Sequence, residues 1–337
     1  MKKSVIIFLL ILQTILGFGQ ATQNIRGVLT DQASKSPVPF ASVVLLNTNP
    51  IIGTTTDVDG SFKLENVPVG RYDLQVSFVG YDPVLIKELF VSSSKETYIE
   101  VSMKESVTTL DEIVVKPTVT KELALNTTTT VSARMLSMEE AKRYAGGFDD
   151  PARLASSFAG VASNVADNGI VIRGNAPKSL QWKLEGIEIP NPNHFADLSA
   201  FGGGGITALS SQMLANSDFL TGAFPAEYNN ATSGVFDLFM RKGNNQKAEH
   251  TFQFGLIGID FSSEGPFKKG GKSSYLFNYR YATLALMQPL LPEDAGGTKY
   301  QDLSFKFNFP TKNAGTFSLW GIALTDESGQ TVEKDTT

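Results

Sequence analysis

Hydrophobic and polar positions alternate with a period of two along most of this chain, in short runs broken by turn residues. In RYDLQVSFVGY, Tyr72, Leu74, Val76 and Phe78 share one face, and Asp73, Gln75 and Ser77 the other. In ETYIEVSM, Thr97, Ile99, Val101 and Met103 oppose Tyr98, Glu100 and Ser102. Such alternation is the mark of a half-buried strand. Turn chemistry falls at DVDG (Asp57–Gly60), VPVG (Val67–Gly70) and GYDP (Gly80–Pro83). Short strands at this spacing, from about Asn24 to Met103, predict a small β-sandwich.

The texture changes after Lys116. SMEEAKRYAGG offers Ser137 as an N-cap with Glu140 three residues on, and Gly146 or Gly147 to close the helix. DDPARLASSFAGV offers Asp150 as N-cap with Pro151 at the first helical position. Short strands then return at GIVIRG (Gly169–Gly174), WKLEGIEIP (Trp182–Pro190) and GVFDLFMRKG (Gly234–Gly243). This reads as a mixed α+β domain.

From His250 the runs lengthen. Tyr275, Phe277, Tyr279 and Tyr281 face one way, Asn278 and Arg280 the other. Leu303, Phe305, Phe307 and Phe309 oppose Asp302, Ser304, Lys306 and Asn308. TFSLWGIAL gives another strand. HTFQFGLIGIDF begins alike, but its parity flips between Leu256 and Ile257, which suggests one strand with a bulge. Four strands of about ten residues suit either a tilted transmembrane wall or one sheet of a soluble sandwich. The aromatic stripe favours lipid.

Lys2 and Lys3 precede an apolar run, Val5–Leu12, followed by Gly17 and Gly19. That is the layout of a secretory signal peptide cleaved near Gly19 or Gln20; an uncleaved anchor is the alternative. The 337 residues suffice for two or three domains. Net charge is −5, which speaks against a nucleic-acid partner. With no cysteine and two histidines, His194 and His250, there is no thiolate site and no H-E-x-x-H zinc motif. No nucleophile–base set stands out, so the chain reads as no enzyme, with no cofactor. TTDVDGSF puts Thr55 and Asn66 where a calcium loop needs Asp and Glu, so it reads as a hairpin turn. No Gly-Lys-Ser/Thr follows the glycines at Gly202–Gly205, so that loop is no phosphate cradle.

Two resemblances join these pieces. GVLTDQASKSPVPFASVVLLNT with GTTTDVDGSFKLENVPVGRYDLQVSFVGYDP resembles the carboxypeptidase-regulatory-like domain, a transthyretin-like sandwich without catalytic residues. The stretch from Pro151 to Phe201, with VIRG (Val171–Gly174), LEGIEI (Leu184–Ile189) and TGAFPAEYNNATSGVFDLFMRKG (Thr221–Gly243), resembles the plug domain of TonB-dependent outer-membrane receptors. That family usually has Asp where this chain has Glu185. The implied fold is mainly β: a sandwich, an α+β plug domain, then the first strands of an incomplete transmembrane β-barrel. In the receptors resembled the barrel has about 22 strands, and four cannot close one.

The expected divisions are 1–20 signal peptide, 21–105 sandwich, 106–117 a TonB-box-like segment, 118–245 plug and 246–337 barrel strands. LDEIVV (Leu110, Asp111, Glu112, Ile113, Val114, Val115) looks like the handle that the periplasmic partner TonB grips by strand addition, drawing on the inner-membrane proton-motive-force complex. The alternative is the last strand of the sandwich. The resemblance implies plug seating or gating by Arg173 and Glu185, with Arg173 facing carboxylates of the barrel wall. It also places Asn191, Asn193, His194 and Phe195, in a Pro-, Asn- and Gly-rich loop, towards the extracellular substrate chamber; ordinary loop packing is the alternative. The implied function is energy-coupled uptake of an unidentified extracellular substrate, with outer-membrane lipid around the barrel and the N-terminal domain in the periplasm. The competing reading is a secreted β-rich adhesion or scaffold protein.

Overall fold

The computed structural model describes residues 22–106, 124–126, 128–129, 131–144, 147, 150–163, 168–198, 202–255, 258–283 and 298–328. The expected signal peptide and Leu110–Val115 lie outside the described residues. The chain divides into two compact units, Met1–Thr120 and Lys121–Thr337.

The first unit contains β1 (Thr22–Asp31), β2 (Ser42–Leu46), β3 (Ile52–Thr55), β4 (Ser61–Pro68), β5 (Gly70–Ser77), β6 (Val84–Val91) and β7 (Thr97–Met103). They form two sheets, ordered β4-β1-β7 and β3-β2-β5-β6. The alternation sorts residues as the sequence predicts. Leu74, Val76, Val101 and Met103 are buried between the sheets, with Tyr72, Phe78 and Ile99 packed at the edge of that core.

The Asp57–Gly60 turn departs from expectation. It is closed by Gly60 N–H donating to Asp57 O (2.9 Å) and Asp57 N–H to Ser61 O (2.7 Å). Yet β3 and β4 belong to different sheets, so the turn is a corner between layers and not a hairpin. Gly60 makes the corner possible: its φ is +74°, and a Cβ there would meet Leu29 O at 2.4 Å.

The second unit opens with β8 (Ala133–Leu136) and two short helices, α1 (Met138–Arg143) and α2 (Pro151–Ala155). Both N-caps form as predicted. Ser137 Oγ accepts from Glu140 N–H at 3.4 Å, and Asp150 Oδ1 from Ala152 N–H at 2.9 Å. The predicted stop does not: α1 ends one residue after Arg143, where Tyr144 turns extended while its N–H still donates to Glu140 O. Gly147 is not the cap, and Gly146 lies outside the described residues.

Short strands follow: β9 (Val161–Ala162), β10 (Val171–Ile172), β11 (Gln181–Leu184), β12 (Ile187–Ile189), β13 (Asn193–His194), β14 (Ile206–Thr207), β15 (Ser217–Leu220) and β16 (Val235–Leu238). The central sheet runs β12-β11-β16-β15-β8. One face carries the core, where Trp182 stacks on Phe236 at 4.1 Å and Phe236 leans on Phe219 at 4.5 Å. The β11–β12 hairpin turns at Glu185-Gly186, both at positive φ, the geometry that a two-residue turn demands.

Five antiparallel strands complete the unit in sequence order: β17 (Glu249–Gly255), β18 (Gly258–Pro266), β19 (Ser274–Thr283), β20 (Thr298–Pro310) and β21 (Thr316–Ser328). The expected single bulged strand across Leu256 and Ile257 is instead two strands. Gly255 pairs with Gly258 and His250 with Ser263, so the chain doubles back there. The parity flip marks a two-residue connection between glycines, which alternation alone cannot tell from a bulge.

A fragment spanning residues 22–106 is expected to melt cooperatively with β-type circular dichroism. Its last residues are tied in: Asp82 N–H donates to Lys104 O, and Ser106 N–H to Gly80 O. Val76→Asp should abolish the transition, because it places a carboxylate at a position with 0% exposure. A fragment disordered before mutation would refute the independence of this sandwich.

Candidate functional site

The five-strand sheet turns its charges inward. Asp302, Ser304, Lys306 and Asn308 on β20 are buried at 2, 0, 6 and 7% exposure, whereas Phe309, Tyr279 and Tyr281 stand at 38–39%. β17 and β21 continue the outer band with Phe252, Phe254, Phe317 and Leu319, all exposed. The arrangement is the reverse of a water-soluble sheet. Burying one such aromatic side chain is worth about 1.5–3 kcal/mol, so a sheet surrounded by water would turn Phe and Tyr towards the core. Among the described residues no helix is long and apolar enough to cross a membrane; that leaves strands untouched.

The inward charges are matched by the α+β module in three places. At the first, Lys306 Nζ donates to Glu185 Oε2 at 2.8 Å and to Met240 O at 3.0 Å. Glu185 Oε1 accepts from Met240 N–H at 2.6 Å. The hairpin turn aims Glu185 outward from the central sheet, and the two side chains are 15% and 7% exposed. At the second, Arg241 holds Glu264 of β18 through both terminal nitrogens, at 2.7 and 3.3 Å, while its Nε donates to Gln212 O. Asn244 N–H adds a third donor to the same carboxylate at 2.9 Å.

The third is a cluster around His194, which has no solvent exposure. Its Nε2 lies 3.0 Å from Asp302 Oδ2 and its Nδ1 3.4 Å from Asp326 Oδ2. Tyr300 packs on the imidazole at 4.5 Å, and Phe195 N–H donates to Asp326 at 3.2 Å. Arg280 of β19 forks onto Asp302, with Nε–Oδ1 and Nη2–Oδ2 both 2.9 Å, and also donates to Thr207 O. One loop is thus fixed to three neighbouring wall strands.

The residues singled out in the sequence divide accordingly. Glu185 is brought to the wall. Arg173 is exposed at positive φ, its guanidinium lying over Gly222, where a Cβ would meet Nη1 at 2.8 Å. Asn193 and His194 are buried and Asn191 and Phe195 half-buried. The two asparagines brace the glycine loop: Asn191 Nδ2 donates to Gly202 O at 2.6 Å and Asn193 Nδ2 to Gly203 O at 3.0 Å. Behind them Asp150 Oδ2 accepts from Asn168 Nδ2 (2.7 Å) and Thr207 N–H (2.9 Å).

Arg241, Glu264, Arg280, Asp302 and Asp326 were not singled out. Their signal was present for β19 and β20, where Arg280 and Asp302 occupy the polar parity. Asp218 was missed too. Its carboxylate accepts Leu125 N–H and Asn126 N–H, each at 2.7 Å, and fixes the chain where it joins the module. Burial pushes the Asp218 carboxyl up, against those two donors, and the opposing Asp237 adds to the rise. Asp237 is likewise pushed up by burial, although Tyr228 O–H donates to it at 2.8 Å.

The described residues thus hold a β-sandwich, a module charge-matched to a sheet, and a sheet with aromatics outward. Residues 25–115 match the family model described as CarboxypepD_reg-like domain. Over 240 residues the chain is 23% identical to the TonB-dependent transporter Oar of Myxococcus xanthus, covering 68% of this chain and 21% of that protein. The chain therefore spans about a fifth of that relative's length. Among solved structures it is similar to the siderophore receptor PirA from Pseudomonas aeruginosa, at 14% identity and a TM-score of 0.42, over 59% of this chain and 35% of that one. It is also similar to the outer membrane transporter YddB from Escherichia coli, at 16% and 0.39, over 56% and 32%.

Lys306→Met is expected to loosen the module from the sheet, because it strands the Glu185 carboxylate; breaking one side of a buried pair costs roughly 3–5 kcal/mol. Adding Glu185→Gln should restore most of the loss. Urea midpoints of the purified protein, followed by the emission of its two tryptophans, Trp182 and Trp320, give the cycle. Purely additive losses would show that the two residues do not act as a pair.

Proposed function

We propose that this chain supplies the periplasmic sandwich, the plug and five wall strands of a TonB-dependent outer-membrane receptor, which takes up an extracellular substrate at the expense of energy delivered by TonB. The observation that carries the reading is the inverted sheet, with Lys306 and Asp302 buried against the plug and phenylalanines outside. Lipid is the surrounding that makes that inversion favourable. A wall in lipid must also close, since each unpaired edge group there costs several kcal/mol; among the described residues β17 and β21 are the edges of the sheet, and in this reading they pair with further strands.

In this reading Leu110–Val115 is the handle. TonB pairs with it as an added strand, so grip comes from backbone hydrogen bonds. The pull reaches the plug at Leu125 and Asn126, which Asp218 holds. Glu185, His194 and Arg241 oppose it by keeping the plug seated, and Arg173 would complete the seating against further strands of the wall. Asn191, Asn193, His194 and Phe195 shape the loop that faces the substrate side. They act on a ligand through the loop's position, because Asn193 and His194 are enclosed. The carboxypeptidase-regulatory-like match runs to residue 115. That supports a second reading, in which Ile113 to Val115 close the sandwich.

One variant separates the two. Val114→Pro removes a backbone donor that a strand ladder needs. In the full-length receptor it should abolish energy-dependent uptake while leaving the sandwich melting temperature unchanged, and Val114→Thr should be nearly silent. A lowered melting temperature would instead assign the segment to the sandwich. Normal uptake with proline in place would remove the handle.

A further inference from the structure

One end of the five-strand sheet is built differently from the other. β18 and β19 are joined there by residues 267–273, FKKGGKS, and β20 and β21 by residues 311–315, TKNAG. These turns carry Lys268, Lys269, Lys272 and Lys312 and no acidic residue. All four lysines are exposed. The turns are ordered by their own hydrogen bonds: Phe267 N–H donates to Ser273 O (3.2 Å), Gly271 N–H to Lys268 O (2.8 Å) and Thr311 N–H to Gly315 O (2.9 Å). Immediately beneath them, Phe267 stacks on Phe309 at 5.4 Å with the rings 14° apart, and both remain exposed. The rings bridge the two turns, which the pairing of Ser274 with Asn308 places side by side.

A basic rim directly above a half-exposed aromatic pair has the polarity of a membrane interface. The rings sit at headgroup depth and the ammonium groups reach the headgroups. Among the described residues at the opposite end, Lys299 is instead paired with Glu327 at 3.5 Å. The basic end is also where the chain passes from the plug into β17 at Glu249, and its connections are short, as periplasmic turns are.

We propose that these two turns form an anchoring site for anionic phospholipid headgroups in the periplasmic leaflet. The site rests on the membrane reading of β17–β21. Phosphate diesters and glycerol hydroxyls satisfy the lysines, while acyl chains cover Phe267 and Phe309. The site fixes the depth and tilt of the strands that hold Lys306, Asp302 and Glu264, and so steadies the wall against which the plug is seated.

The test uses the full-length protein extracted in detergent, examined by native mass spectrometry with added phosphatidylglycerol or phosphatidylethanolamine. Wild-type protein should retain phosphatidylglycerol in preference. Replacing all four lysines by Gln should lower that preference by at least about tenfold, since each lysine near an anionic surface contributes on the order of 1 kcal/mol. Lys268→Gln with Lys312→Gln, one change in each turn, should give a partial loss, and covers the case in which the fourfold variant does not fold. Soluble glycerol phosphate should fail to displace the lipid. Equal retention of both lipids, an unchanged preference in the folded variants, or displacement by glycerol phosphate would overturn the anchoring site while leaving the receptor reading intact. A protein that needs no detergent and takes up neither lipid would overturn both.

Discussion

Lys306 occupies a position that is costly for a lysine. It lies in the middle of a strand, on the face turned away from solvent, and is 6% exposed. Such a charge is tolerated only with a fixed counter-charge and further acceptors. Glu185 and Met240 O provide them, both from the module packed inside the sheet. The same requirement recurs at Arg241–Glu264 and around His194 and Asp302. Each of these matched groups fixes where the module sits along the strands. With three of them on β18, β20 and β21, the module has one register against the wall. Their mutual dependence also explains the outer face: once the inner parity of each strand is given to charges, the apolar parity has only the outside left.

In the proposed receptor, this arrangement suits a plug that must be both firm and removable. Hydrophobic contact alone would be firm but indifferent to small shifts. Buried ion pairs are weak as net stabilisers and severe when broken. A plug held by them resists displacement until a pull separates partners, and then loses its hold in steps. In the same reading the pull would reach the module at Asp218, which receives two backbone donors from the incoming chain.

Much of the architecture was legible from alternation. The sandwich strands, the N-caps at Ser137 and Asp150 and the two faces of β19 and β20 follow from local pattern and turn chemistry. What was not legible depends on partners far along the chain. β8 and β15 are four residues each, and acquire identity only by pairing, β8 with β15 and β15 with both β8 and β16. The turn between Gly255 and Gly258 looked like a bulge because both disturb parity in the same way. The loop with His194 carries the composition of an open surface loop, yet it is enclosed, because Asp302 and Asp326 lie 108 and 132 positions further on. The Asp57–Gly60 turn had hairpin chemistry, but the sheet to which β4 belongs is decided by its pairing with β1.

The central claim is that β19 and β20 stand between lipid and plug, and the most direct measurement is residue-by-residue access along one strand. Single cysteines can be placed in this cysteine-free chain at Phe305 and Phe307, and at Ser304 just before them on the opposite parity, in the full-length protein in its membrane. Each is then spin-labelled and its relaxation compared with oxygen and with a water-soluble nickel complex. The account predicts strong oxygen and weak nickel effects at positions 305 and 307, and little of either at position 304, which is 0% exposed against the plug. Strong nickel access at positions 305 and 307 would mean that the aromatic face meets water, and would contradict it.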